Sequence, residues 1–387
     1  MRHLVRFGRT AARAALIISA AASLTLVGAA QQANAPADTI NRVKAQFAPD
    51  TRLAVFDVKS ETKGNAIELS GEVDQAAAKD ALFKALHEAG YPNLVDKVVV
   101  LPDPEVAPRP YGIVTVSVAV MKTKPSHSSE LANQLLTGMV VKVLKKDGWY
   151  YVQSQDDRYL GWMESDHLAM VTRQQLDDYQ HASRVIVVAP YAWLREQPGA
   201  DGAPMADLVI GDVLQTTGRN GDWVAVRLPD GRQGQVSAAD VTDYEAWKAA
   251  RKVTPENTER TARQFLGVPY IWGGTSIKGF DCSGFVKTVF RLNGLELQRD
   301  ADQQSNQGEA VPTESNLAQL RKGDVLFFGP RPGVTRITHT GIYLGDKRFI
   351  HCAGLVKINS FDPASPTYSE NLLKRLVKVR RMSSPGA

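Results

Sequence analysis

The chain is short of thiols: its 387 residues hold two cysteines, Cys282 and Cys352. Neither lies near the N-terminus, which argues against acylation as a lipoprotein. The first 35 residues contain no acid, only the four arginines Arg2, Arg6, Arg9 and Arg13 as formal charges. Those four make up most of the net charge of +5, so the remainder is close to neutral and gives no electrostatic ground for a nucleic-acid partner. No group of ligands has metal-site spacing, so neither a metal nor another cofactor is expected. Long apolar runs are missing as well. The nearest to one, "AALIISAAASLTLVGAA", falls short of the roughly 20 residues that a membrane span needs.

That run fits a secretory signal instead: a basic start, an apolar stretch, small residues, then a polar segment. Cleavage near Ala29 or Ala30 is expected, with residues 1–30 as the signal peptide. Export to the periplasm, the extracellular space or the cell envelope follows, with no stable membrane span once the signal is removed. Export sharpens the question of the cysteines. In an oxidising compartment a pair of them suggests a disulfide, whereas a nucleophilic Cys282 must stay a thiol and leave Cys352 unpaired.

The length suits two to four domains. Residues 37–105 read as a small α/β module, with helical spacing in "TINRVKAQF" and "DQAAAKDALFKALHEAG" and strand alternation in "RLAVFDVKSE", "AIELSGEV" and "LVDKVVVLP". The module is similar to the BON domain of bacterial envelope proteins. After the proline-rich linker "PDPEVAPRP" comes an internal repeat, with "DGWYYVQSQDDRYLGWMESDHL" matching "NGDWVAVRLPDGRQGQVSAADV". The two copies, at 110–173 and 184–243, resemble bacterial SH3-like β-barrels. The second departs at Gln235, where the first has Trp162. Such domains bind peptide or cell wall, or only pack on a neighbour, and both readings stand here.

The last domain, 252–387, holds both cysteines. In "GVPYIWGGTSIKGFDCSGFV" a glycine-rich loop runs into a helix whose apolar face carries Phe285, Val286, Val289, Phe290 and Leu292. Cys282 falls in its first turn, where the helix dipole and unpaired N–H groups favour a thiolate, so a lowered thiol pKa is expected. A thiol nucleophile needs a base. Of seven histidines, His3 lies in the signal and His87, His127, His167 and His181 in the accessory modules. His339 and His351 remain, on two strands of "ITHTGIYLGDKRFIHCAG". They share a sheet face if the connection has an odd residue count or a bulge, and lie on opposite faces otherwise. Cys352, one residue on, points the other way, toward the core.

The motifs "GVPYIWGG", "FDCSGFV", "HTGIYLG" and "FIHC" resemble, in order and spacing, those of the NlpC family of papain-like cysteine peptidases, which cut peptidoglycan peptides. Paired SH3-like domains ahead of them resemble the γ-D-glutamyl-diamino-acid endopeptidases of that family. The resemblance implies Cys282 as nucleophile, His339 as base and acid, and His351 as the group orienting His339. It implies Tyr270, Asp281, Ser283, Arg299 and Asp300 as substrate-pocket residues, with Ala301 where the family often has serine. Arg299 suits a substrate carboxylate through its fork, or else an internal ion pair with Asp300 or Asp302. Glu130 and Tyr159 of the first SH3-like copy are candidates to hold a free N-terminal amine of L-Ala.

The expected architecture is thus multidomain α+β: a small α/β module, two SH3-like barrels and a papain-like catalytic domain. The expected function is a monomeric endopeptidase for the γ-D-Glu–diaminopimelate bond of peptidoglycan-derived stem peptides, through a Cys-His-His triad and a thioester. The alternatives are a hydrolase of intact wall anchored by its SH3-like domains, and a non-catalytic wall-binding protein.

Overall fold

The computed structural model describes residues 35–313 and 317–383. The expected signal peptide lies outside the described residues. Within them, no helix is long and apolar enough to cross a membrane.

Helix Pro36–Phe47 opens the N-terminal part and packs with helix Ala76–Glu88 on a three-stranded sheet. Strands Phe56–Lys63 and Ala66–Val73 pair antiparallel, and Leu94–Val100 joins the second in parallel. The parallel pair needs a crossover, which the second helix supplies. Leu69, Val73, Leu82 and Leu86 are fully buried between the layers.

Two seven-stranded antiparallel sheets follow, one with strands between Tyr111 and Val171, the other between Arg184 and Asp243. Their topology is identical. Counting strands along the chain, the seventh lies beside the first, followed by the fourth, fifth, sixth, second and third. In each copy the second and sixth strands meet at one residue pair, Lys122 with Trp162 and Arg195 with Gln235. The position where the copies differ in sequence is therefore the same structural position. In the first copy Trp162 lies against Tyr151, and Lys145 sits over both rings while pairing with Glu72 of the N-terminal part.

The C-terminal part is a six-stranded antiparallel sheet in the spatial order Glu309–Val311, Leu376–Arg381, Val325–Phe328, His339–Gly345, Arg348–Ala353, Leu355–Ser360. The helix Cys282–Leu292 packs on one face, its Phe285, Val286, Val289 and Phe290 joining Ile342, Ile350 and Cys352 in one core. Each of those four helix side chains is fully buried, worth roughly 1.5–3 kcal/mol apiece. The opposite face buries Phe328, Tyr343, Phe349 and Phe361. Cys352 is in the core, its thiol donating to the Phe280 carbonyl at 3.2 Å, and both cysteines are free. The disulfide reading is thereby set aside.

Candidate active site

Asp281 starts the cysteine helix as its N-cap, accepting from Gly284 N at 2.7 Å. Its two carboxylate oxygens are saturated. Oδ1 also accepts from Ser283 Oγ and Arg299 Nη1, and Oδ2 from Gly273 N and Arg299 Nη2. Gly284 allows the helix start to sit against the preceding loop, since a Cβ there would lie 2.0 Å from the Gly274 carbonyl oxygen. Cys282 is thus held at the first helical position by a cap, a buried ion pair and a close backbone contact.

The expected fall in the thiol pKa is not observed. Burial and the adjacent Asp281 carboxylate push Cys282 up to about 12, while backbone N–H groups of Thr340 and Ser283 directed at the sulfur oppose them. The helix terminus favours the thiolate, but desolvation of the buried sulfur outweighs it. At rest the nucleophile is a neutral thiol.

The two histidines stand on one sheet face because of a bulge. The two-residue turn Asp346-Lys347, both with positive φ, joins the strands, and the register shifts between Tyr343 and Gly345. Gly341 then lies opposite His351, where a Cβ would come within 2.9 Å of the His351 Cβ. His339 Nε2 lies 2.8 Å from His351 Nδ1, and His351 Nε2 lies 2.9 Å from Asn359 Oδ1. Burial lowers His339 to about 3 and His351 to about 4, so both are neutral at pH 7.

Asn359 sets the tautomers. Its Nδ2 donates to the Thr367 carbonyl at 2.8 Å, which turns its oxygen toward His351. His351 Nε2 must then carry the proton, leaving His351 Nδ1 to accept from His339 Nε2–H. The lone pair of His339 falls on Nδ1, the nitrogen outside this chain of bonds. That is the form required to take a proton from a thiol.

The cleft at Cys282 has a volume of about 680 Å³ and is walled by three parts of the chain. The catalytic part supplies Tyr270 and Trp272, the first repeat Glu130 and Tyr159, and the N-terminal part Arg52. Tyr270 has its phenol pKa raised by burial and by the nearby thiol. Glu130 is exposed and makes no side-chain ion pair or hydrogen bond among the described residues. Tyr159 donates to Asp300 Oδ2 at 3.0 Å. The first repeat is fastened to the glycine-rich loop by Gln134, whose amide oxygen accepts from Thr275 N and Ser276 Oγ.

Arg299 has an internal partner that the sequence reading did not name. Its side chain is 1% exposed and its fork closes on Asp281, with Asp300 Oδ1 beyond hydrogen-bond reach at 3.9 Å. An internal pair is the arrangement observed, with Asp281 as the hydrogen-bonded partner and Asp300 as a longer ion-pair contact. Asp281, Ser283 and Arg299 line the cleft, and Arg299 Nη1 and Nη2 donate to Asp281, Nη1 also to Ser283 Oγ. Two residues went unread in the sequence. Asn359 alternates with Ile358 and Val356 as a polar position on its strand, which is a weak signal. Arg52 gave none, since it reaches Asp300 and Asp302 across the whole chain.

A cysteine at the start of a buried helix, with paired neutral histidines on the adjoining sheet and an open polar cleft, defines a thiol peptidase. The NlpC/P60 family model matches residues 267–381, and the bacterial dipeptidyl-peptidase SH3 domain matches residues 121–168. A gamma-D-glutamyl-L-lysine dipeptidyl-peptidase of Bacillus cereus (strain ATCC 10987 / NRS 248) is 31% identical over 58% of this chain and 68% of its own. One of the same description from Bacillus subtilis (strain 168) is 30% identical over 66% of this chain and 82% of its own. The crystal structure of an NlpC/P60 family protein from Bacillus cereus ATCC 10987 superposes with a TM-score of 0.61 at 26% identity, matching 71% of this chain and 100% of that one. The chain belongs to the NlpC/P60 family of cysteine peptidases.

Proposed function

We propose that this peptidase hydrolyses the γ-D-Glu–diamino acid bond of peptidoglycan stem peptides that carry a free N-terminal L-Ala, acting as a monomer in the cell envelope or outside the cell. The observation that carries the reading is that Glu130, Tyr159 and Cys282 line one cleft. An exposed carboxylate and a phenol suit an ammonium, and the cleft also contains the thiol that would attack the peptide. The two relatives named for γ-D-glutamyl-L-lysine peptides support the substrate class. On this reading both repeats are SH3-like barrels and the C-terminal fold is papain-like. The N-terminal part, whose order of elements is helix, two strands, helix and strand, is then a BON-like module.

The chemistry follows from the tautomers. Cys282 Sγ–H gives its proton to His339 Nδ1 as the sulfur attacks the γ-glutamyl carbonyl. The oxyanion is held by the Cys282 N–H and the Tyr270 hydroxyl. The imidazolium is stabilised through His351 and Asn359, and returns the proton to the departing amine. Water, deprotonated by His339, then hydrolyses the thioester and restores the thiol.

Mass analysis of L-Ala-γ-D-Glu-diaminopimelate and its lysine counterpart after incubation with the enzyme tests the reading. L-Ala-D-Glu and the free diamino acid are the expected products with wild type, and none with Cys282→Ala. Cleavage by Cys282→Ala would overturn the mechanism. Release of fragments from intact sacculi as fast as from free peptide would overturn the substrate.

A further inference from the structure

We propose that Arg52, carried by the N-terminal module, is a positioning residue of the substrate cleft that holds Asp300 for the substrate ammonium. The inference rests on the free-amine reading above and extends it to a part of the chain outside both matched family domains.

The turn after the first helix places Arg52 among three carboxylates. Its guanidinium donates to Asp50, to Asp300 Oδ2 at 2.7 Å and to Asp302 Oδ2 at 2.9 Å. Its backbone carbonyl accepts from Leu160 N at 2.8 Å, which fixes the turn beside Tyr159. Asp50, in turn, accepts from Gln303 Nε2 at 2.7 Å. The turn therefore touches the repeat on one side and the catalytic part on the other, at the rim of the cleft.

The charge balance explains why a cation belongs there. Asp300 and Asp302 lie on one short helical turn, and without a counter-ion they repel each other and swing apart. Arg52 gathers both and, together with the Tyr159 hydroxyl, takes up Asp300 Oδ2. With Arg299 and its partner Asp281 counted in, the cluster of two arginines and four aspartates keeps a net negative charge, to which Glu130 across the cleft adds. An ammonium is attracted to such an end, and a blocked, neutral N-terminus is not.

The test compares wild type, Arg52→Gln and Arg52→Lys on L-Ala-γ-D-Glu-diaminopimelate and on its N-acetylated form. Arg52→Gln is expected to raise KM for the free-amine peptide roughly ten- to a hundredfold, with kcat within about threefold. Arg52→Lys, which restores one positive charge, recovers part of the loss. Cleavage of the acetylated peptide stays as slow as in wild type. Alkylation of Cys282 at an unchanged rate in both variants shows that the catalytic part remains folded. An unchanged KM in Arg52→Gln overturns the proposal, as does an equal loss on both peptides, which marks a merely structural residue. Failure of the free-amine reading shows separately, as a wild type that cuts both peptides equally well.

Discussion

Arg299 donates from both terminal nitrogens to Asp281, Nη1 to Oδ1 at 3.2 Å and Nη2 to Oδ2 at 2.5 Å, with its side chain 1% exposed. The pair joins the residue capping the nucleophile helix to the segment that leads into Asp300. It fixes the start of the nucleophile helix, so its loss should first appear in stability. Arg299→Met leaves a buried carboxylate without its counter-charge and is expected to cost about 3–5 kcal/mol in urea unfolding. A loss below about 1 kcal/mol, the size of an exposed pair, would contradict this account of the helix start.

Asn359 is expected to matter through the histidines alone. Asn359→Leu removes the acceptor for His351 Nε2–H and frees the tautomers, lowering kcat roughly ten- to a hundredfold at constant KM. Asn359→Asp keeps the acceptor and should retain far more activity, with the acid limb of its pH–rate profile moved to higher pH because the added negative charge favours imidazolium. Equal kcat in Asn359→Leu and wild type would show that the chain of bonds does not set the base.

The neutral resting site makes a prediction about pH. A thiol pushed up to about 12 beside an imidazole lowered to about 3 holds little thiolate near neutrality, and that fraction grows as pH rises. Iodoacetamide alkylation of Cys282 is therefore expected to accelerate steadily from pH 6 to pH 9, read by mass spectrometry. Asp281→Asn removes the negative charge that opposes ionisation and should shift the profile toward lower pH. A rate already at its plateau below pH 6 would indicate a preformed thiolate–imidazolium pair instead.

How much of this was legible in the sequence depended on the range of each interaction. The cysteine helix, its apolar face and the two histidine strands follow from local periodicity, and the structure brings Cys282 and the His339 strand together. Whether the histidines share a face turned on a bulge, which the alternation of side chains alone leaves open. The repeat could be aligned from its tryptophans, down to the Trp162 and Gln235 position where two strands meet. For Arg299 an internal pair with Asp300 or Asp302 was one of two open readings, and Asp281 was not foreseen, because the cap of one helix and a loop 18 residues on meet only through the fold. Arg52 lies 248 residues from Asp300, and no local pattern encodes such a contact. The thiol pKa was misread for a related reason: the helix terminus is visible in sequence, whereas the burial that outweighs it is not.

The most direct test of the central claim is the ratio of kcat/KM for the free-amine tripeptide to that for its N-acetylated form, measured in wild type and in Glu130→Gln. A cleft that closes on an ammonium predicts a wild-type ratio of roughly a hundred or more, collapsing toward unity in Glu130→Gln mainly through loss on the free-amine peptide. A wild-type ratio near one, with both peptides cut efficiently, would contradict it.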